Sequence, residues 1–64
     1  MLNLVVTFVF EDEVGKIHKI SVSFFGPSYH EAYEQAMMFS TKQCEINEWC
    51  LLDAKVTCVL DTRN

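Results

Sequence analysis

Residues 28–45, SYHEAYEQAMMFSTKQCE, form the only stretch of the chain with a clear helical period, so they constrain the fold most. On a helical wheel the apolar side chains of this stretch fall within an arc of roughly 160°. These side chains are Tyr29, Ala32, Tyr33, Ala36, Met37, Phe39 and Cys44. The opposite arc carries His30, Glu31, Glu34, Thr41, Lys42 and Glu45. A helix with this pattern packs on an apolar layer, which the remaining residues must supply.

The start of this helix is marked by a capping box, because Ser28 is followed three positions later by Glu31. We expect the Ser28 hydroxyl to accept from the backbone N–H of Glu31, and the Glu31 side chain to reach back to Ser28. Pro27 prevents the helix from extending backwards, and Gly26 permits a sharp turn into it. Asn47 is the candidate for the first residue beyond the helix.

Three segments, at residues 1–10, 16–25 and 53–60, alternate with the period of two that is typical of strands. The first segment is apolar on both faces, which favours a central position. The acidic loop at residues 11–15 has hairpin length, and Gly15 can adopt a positive φ. In the third strand the predicted inward side chains are Ala54, Val56, Cys58 and Leu60. The predicted outward side chains are Asp53, Lys55, Thr57 and Val59.

The element order predicts one small α+β domain over residues 1–64, a ββαβ unit whose three-stranded mixed sheet has the order 2-1-3. The third strand is expected to run parallel to the second and antiparallel to the first, with a right-handed crossover. One helix covers one face, and the open face is either solvated or a docking surface. The expected core residues are Phe8, Val22, Tyr33, Ala36, Val56 and Cys58.

The formal net charge of −4 makes nucleic acid and anionic membranes poor direct partners and favours a partner with a basic surface. The apolar N-terminal stretch has no basic flank and no cleavage site, and it is too short to span a bilayer. We therefore expect a cytoplasmic protein, in the host cytoplasm if the chain is phage-encoded, with three reduced cysteines.

The residues that carry chemistry do not form a recognisable catalytic or metal-binding pattern. Cys44, Cys50 and Cys58 are separated by five and seven residues, unlike the closely spaced pairs of structural zinc sites. His18 falls on the inward face of its strand, where we expect a partly buried, hydrogen-bonded side chain. His30 is expected to be exposed. The sequence therefore predicts a protein without enzymatic activity, cofactor or metal.

The acidic residues on the polar face of the helix allow two interpretations of their role. The carboxylates on the helix and just beyond it either keep the protein soluble or present a phosphate-like array to a basic groove; they belong to Glu31, Glu34, Glu45 and Glu48. Met38 interrupts this polar face, as an ordinary surface residue or as an adaptable contact. The candidate partner-binding residues are Tyr29, Tyr33, Glu31, Glu34, Met38, Glu45 and Trp49.

The two ends of the chain and its layout resemble the discriminator-of-mRNA-degradation antitoxins of T-even-like phages. The opening LVVTFVF is similar to the apolar first strand of that family. Residues 52–56, together with Val59, Asp61 and Arg63, are similar to its last strand. By this resemblance, the aromatic residue with which the family's helix contacts the toxin corresponds to Tyr29 or Tyr33.

The resemblance implies a ββαβ protein that binds a bacterial endoribonuclease toxin directly, blocks it and so protects phage messages. Two alternatives stay open. The chain could inhibit another host defence protein or act as a general protein–protein interaction module. It could also self-associate through its open sheet face or strand edges, so the expected state is a monomer or weak homodimer.

Overall fold

The computed structural model describes residues 1–61, so Arg63, which contributes to the resemblance to the antitoxin family, lies outside the described residues. The elements are β1 (Leu2–Glu11), β2 (Ile17–Gly26), α1 (Tyr29–Asn47) and β3 (Cys50–Asp61). The strands form one sheet in the order β2-β1-β3. The predicted α+β class and strand order are therefore confirmed.

The pairing of the strands corrects one part of the prediction. β1 pairs antiparallel with β2 on one side and antiparallel with β3 on the other. β2 and β3 run in the same direction, but β1 lies between them and they share no ladder. The description of the sheet as mixed is therefore wrong, because both neighbouring pairs are antiparallel.

β1 lies at the centre of the sheet, and its inner face supplies most of the buried apolar side chains among the described residues. The side chains of Leu4, Val6, Phe8 and Phe10 are fully buried on this face. The Phe8 ring packs against three other aromatic rings, with centroid distances between 5.4 and 6.1 Å. Burying side chains of this size stabilises the folded state by about 1.5–3 kcal/mol each, so β1 anchors the core.

α1 packs on the sheet through its small residues. Its buried residues are Ala32, Ala36 and Ser40, which are spaced four apart and therefore share one side of the helix. The Ser40 hydroxyl donates to the carbonyl oxygen of Met37 at 2.9 Å, which satisfies this buried polar group. Gly26 allows the close approach, because a Cβ atom there would lie 2.9 Å from the backbone nitrogen of Ala32. The buried stripe is thus narrower than the predicted apolar arc.

The two ends of α1 differ in how well the sequence predicts them. The Ser28 hydroxyl accepts from the backbone N–H of Glu31 at 3.4 Å, as expected for an N-cap. At the other end the helix includes Asn47, and Glu48 adopts the left-handed conformation with a φ of 56°. The expectation that Asn47 lies just beyond the helix is therefore wrong.

β3 contains two β-bulges that change which of its side chains face the helix. Its register with β1 shifts between Val5 and Val6 and again between Val9 and Phe10, so Thr57 and Leu52 are extra residues without a partner across the ladder. A one-residue shift moves the following side chains to the opposite face.

The bulge at Thr57 overturns three predicted orientations. Cys58 pairs with Val5 and Leu60 pairs with Asn3, which places both on the outer face and leaves both exposed. Val59 pairs with Leu4 on the inner face instead of pointing outward. The predicted burial of Cys58 is therefore wrong. The other predicted core residues pack as expected: Phe8 and Ala36 are buried, and Val22, Tyr33 and Val56 are half-buried against them.

Candidate functional site: a groove between α1 and β2

An open groove of about 750 Å³ runs between α1 and β2. We call it the α1/β2 groove. Its lining residues are Phe24, Glu34, Gln35, Met37, Met38, Phe39, Thr41, Lys42 and Glu45. Glu34, Met38 and Glu45 recur at the spacing that keeps side chains on one side of a helix, and this side is turned away from the buried stripe. The groove therefore extends from the exposed side of α1 to Phe39 and Phe24, where the helix meets β2.

The floor of the groove is apolar. At one end of the groove a hydrogen bond links the helix to β2. Phe24 is 8% exposed, and Phe39 packs on it edge-on with ring centroids 5.7 Å apart. Met38 is 71% exposed, so its flexible side chain is available to a partner. Gln35 Nε2 donates to the carbonyl oxygen of Phe25 at 2.7 Å, which links the helix to the strand.

The rim of the groove is more acidic than basic. Glu34 and Glu45 contribute carboxylates, and Lys42 contributes one ammonium group. His30 Nε2 lies 3.3 Å from Glu34 Oε2, but both side chains are strongly exposed, so this contact stabilises little. The surface complements an apolar segment that carries basic residues.

The predicted tyrosines form a separate surface at the start of α1. The Tyr29 and Tyr33 rings stack with centroids 6.1 Å apart and planes 10° apart. Tyr29 is 47% exposed, whereas Tyr33 is half-buried against the core. Glu31 is exposed in the same turn. The structure thus brings Glu34, Met38 and Glu45 together in the groove, whereas Tyr29, Glu31 and Tyr33 lie beyond its lining.

Trp49 lies at the far end of the molecule, where the hairpin loop meets the end of α1. Its ring packs on Phe10 at 5.3 Å and stacks on His18 at 4.3 Å. The backbone N–H of Trp49 donates to the carbonyl oxygen of Cys44 at 3.2 Å. Trp49 therefore joins the core to the hairpin and stands apart from the other candidate binding residues.

The hairpin loop is organised by the carboxylate of Asp12. Its Oδ1 accepts from the backbone N–H groups of Val14 and Lys16 at 3.0 and 2.8 Å. Its Oδ2 accepts from His18 Nε2 at 2.9 Å, which confirms that His18 is partly buried and hydrogen-bonded. The hydrogen bond from His18, assisted by those from the backbone, holds the pKa of Asp12 below its ordinary value.

Six groove residues have no counterpart among the candidate binding residues taken from the sequence, namely Phe24, Gln35, Met37, Phe39, Thr41 and Lys42. The positions of Gln35 and Lys42 follow from the helical wheel, since both share the flank of Glu34, Met38 and Glu45. The contribution of Phe24 depends on how the helix crosses β2, which periodicity does not specify.

Within residues 1–61, no three His, Cys, Asp or Glu side chains come close enough together to hold a metal ion. Over the same residues, no helix combines the length and the apolar character that crossing a bilayer requires. Comparison with models of known families, with curated proteins and with solved structures gave no match.

Proposed function

We propose that this chain is a binding inhibitor of a basic protein, and that it docks through the α1/β2 groove. The observation that carries the proposal is the placement of Met38, an exposed adaptable side chain, in an apolar groove between Glu34 and Glu45. Large flexible side chains supply contact area in protein interfaces, and charges around them set the association rate and the sign of the partner.

We propose further that the partner is a bacterial endoribonuclease toxin. A protein that cleaves RNA needs a basic surface for the phosphates, and a chain with a net charge of −4 is attracted to such a surface. The carboxylates of Glu34 and Glu45 would then stand where substrate phosphates bind. The resemblance in layout and terminal strands to phage antitoxins supports the same partner class.

The test is protection from toxins in cells and in solution. The chain is co-expressed with each of a panel of RNA-cleaving bacterial toxins, and growth is measured. RNA cleavage by the purified toxin is then measured with and without the purified chain. We expect growth rescue and loss of cleavage with at least one toxin.

The matched variants are Met38→Lys and Ile46→Lys, which place the same charge on two exposed positions of α1. Met38 lines the groove, whereas Ile46 does not. We expect Met38→Lys to abolish protection and Ile46→Lys to retain it. Equal protection by both variants would show that the binding surface lies outside the α1/β2 groove. An affinity pull-down could instead isolate a partner that is neither basic nor a ribonuclease. That result would favour a different function for the chain, as an inhibitor of another host defence protein or as a general interaction module.

A further inference from the structure

We propose that the outer face of the sheet, which α1 leaves uncovered, joins two copies of this chain in a face-to-face dimer. The outer face consists of the odd-numbered side chains of β1 from Asn3 to Glu11 and of the β2 and β3 side chains paired with them. The inference is separate from the proposed function, because the α1/β2 groove lies on the helix side of the sheet and stays free in such a dimer.

The charged side chains of the outer face balance each other, although the chain as a whole has a net charge of −4. The strands place two lysines and two acids on this face, namely Lys19, Lys55, Glu11 and Asp53. Approach of two copies through this neutral face is therefore opposed less than approach through the acidic helix side. A basic protein is attracted to the acidic groove rim instead, so the charge balance favours a second copy on the outer face.

Lys19 and Asp53 occupy equivalent positions on opposite sides of β1. Both pair with Val9, Lys19 from β2 and Asp53 from β3, and both are exposed. In a symmetric dimer with its two-fold axis parallel to β1 and between the sheets, β2 of one copy lies over β3 of the other. Lys19 of each copy then faces Asp53 of the other, so the ion pair forms twice.

The distance between packed sheets suits these side chains. Two sheets packed face to face lie about 10 Å apart, with strand directions within about 30° of each other. A long lysine side chain and an aspartate projecting from opposite sheets together cover this gap. The Lys19–Asp53 contacts therefore connect the two copies without distorting either sheet.

The same axis brings the exposed apolar side chains at one end of the face together. Phe25 and Leu60 both pair with Asn3, and they are 52% and 51% exposed. Phe25 of each copy faces Leu60 of the other, so the dimer buries both side chains twice. This burial supplies the apolar part of the contact.

Asn3 lies on the axis and faces Asn3 of the second copy. Its Oδ1 is shielded from solvent and accepts no hydrogen bond within residues 1–61. An amide side chain carries both donors and an acceptor, so two amides that turn toward each other can exchange hydrogen bonds. The dimer therefore offers this acceptor the hydrogen bond that it lacks in one copy.

The remaining charged side chains do not oppose the contact. Lys55 faces Ser21 of the second copy, because both residues pair with Thr7. Glu11 lies on the axis at the end of the face, and its carboxylate turns toward the hairpin loop, where Oε2 would lie 3.7 Å from a Cβ atom on Gly15. The two Glu11 carboxylates therefore stay at the solvated edge, where salt screens their repulsion.

The size of the face predicts a weak dimer. β1 and β2 have ten residues each, and β3 has twelve. Three such strands cover about 14 Å by 33 Å, so the two copies together bury a footprint of roughly 900 Å². Interfaces below about 1,200 Å² in total belong to weak and transient complexes. We therefore expect a dimer that forms at high protein concentration and dissociates on dilution.

The test is sedimentation equilibrium over protein concentrations from about 1 μM to about 1 mM. Lys19→Glu and Asp53→Lys each place like charges opposite each other twice, so each should raise the dissociation constant of the dimer about tenfold or more. Combining them in one chain exchanges the two charges at unchanged net charge and should restore most of the wild-type affinity. Lys42→Glu is the control, because it makes the same charge change at an exposed position on α1.

NMR locates the contact between the copies directly. In a mixture of isotope-labelled and unlabelled chains, filtered NOE spectra report only contacts between different copies. We expect such contacts between Phe25 and Leu60, which lie on opposite edge strands of one copy with β1 between them. The contacts should disappear in Asp53→Lys and return in the charge-exchanged variant.

A wild-type chain that stays monomeric at about 1 mM would overturn the proposal. The same conclusion would follow from a dimer that neither single reversal weakens, or from a charge exchange that fails to restore association. Weakening by Lys42→Glu equal to that by Lys19→Glu would show that net charge, and not the outer face, controls association. Contacts between copies confined to strand edges or to α1 would assign another interface. Circular dichroism checks the fold of each variant, and if a single reversal unfolds the chain, the wild-type contacts between Phe25 and Leu60 decide the question.

Discussion

The imidazole ring of His18 stacks on the indole ring of Trp49, with centroids 4.3 Å apart and planes inclined by 14°. His18 is the second residue of β2, the return strand of the hairpin, and Trp49 follows the end of α1. The stack therefore ties the loop of the β1–β2 hairpin to the helix terminus. The hydrogen bond from His18 to Asp12 extends this connection into the loop itself.

The carboxylate of Asp12 should make stability depend on acid pH. Its pKa in the folded protein lies below the ordinary value of 3.8, chiefly because His18 donates a hydrogen bond to it. A lowered pKa stabilises the fold fully above the unfolded-state value, and this contribution is lost as the pH falls through the folded-state value. Thermal melts should therefore show wild-type stability falling below about pH 4.

The variant Asp12→Asn should melt lower than the wild type near neutral pH and should show a shallower decline in acid. Glu13→Gln is the control, because Glu13 is exposed in the same loop. We expect its acid profile to follow that of the wild type. Parallel acid profiles for Asp12→Asn and the wild type would contradict the role of this carboxylate.

The Phe8 side chain should contribute a large share of the free energy of unfolding that core packing provides. Phe8→Ala removes a fully buried ring that contacts Phe10, Phe24 and Phe39, so it should cost about 3–5 kcal/mol. This loss is comparable to the whole stability of a small domain, so the variant should show either a much lower urea midpoint than the wild type or no folded state by circular dichroism. Phe25→Ala makes the same chemical change at a side chain that is 52% exposed, and it should cost below about 1 kcal/mol. Similar costs at both positions would contradict the assigned faces of the strands.

Replacing Gly26 with a larger residue should destabilise the fold, because the backbone of α1 lies too close to leave room for a Cβ atom. Gly26→Ala would place a Cβ atom 2.9 Å from the backbone nitrogen of Ala32, which cannot move without shifting the helix. We expect a loss of about 1–3 kcal/mol in urea unfolding. Ser23→Ala, at an exposed site on the same strand, should change stability by less than about 0.5 kcal/mol. A neutral Gly26→Ala would mean that α1 lies farther from β2.

The cysteines should be free thiols of unequal reactivity. Cys50 and Cys58 are exposed, whereas Cys44 lies on α1 and is half-buried against the core. A thiol reagent under native conditions should label Cys50 and Cys58 quickly and Cys44 slowly, as read by mass spectrometry. Reductant should leave the melting temperature unchanged. An intact mass lower by two hydrogens, or fast labelling of Cys44, would contradict this arrangement.

The position of the acidic residues, and not only their number, should set the rate of partner binding. Glu34→Lys with Glu45→Lys should slow association with a basic partner and flatten its salt dependence, because both charges lie on the groove rim. Both side chains are exposed, so the circular dichroism spectrum should not change. Stopped-flow binding at low salt measures the effect.

The control for this pair is Glu13→Lys with Asp53→Lys, which changes the net charge equally at exposed sites outside the groove lining. We expect a much smaller effect on the association rate. Equal slowing by both double variants would show that overall charge, and not the groove, attracts the partner.

Local patterns in the sequence are sufficient to determine the elements and their order, but not every boundary, since β3 begins at Cys50, three residues before its predicted start. The capping box at Ser28, the apolar β1 and the alternation of β2 each depend on neighbours within a few residues. The central position of β1 follows because both of its faces are apolar. The flank of α1 that carries Glu34, Met38 and Glu45 also follows from the helical period alone.

Only the tertiary structure determines which residues of β3 face inward and what completes the groove. The bulge at Thr57 depends on pairing with β1, and its hydroxyl donates to the carbonyl oxygen of Val5 at 3.2 Å. No alternation within β3 specifies such an extra residue, so Cys58 is predicted on the wrong face. The stack of His18 on Trp49 and the contribution of Phe24 to the groove likewise join residues distant in the chain. Such contacts are fixed by the packing of whole elements, because period and propensity describe only the neighbours along one segment.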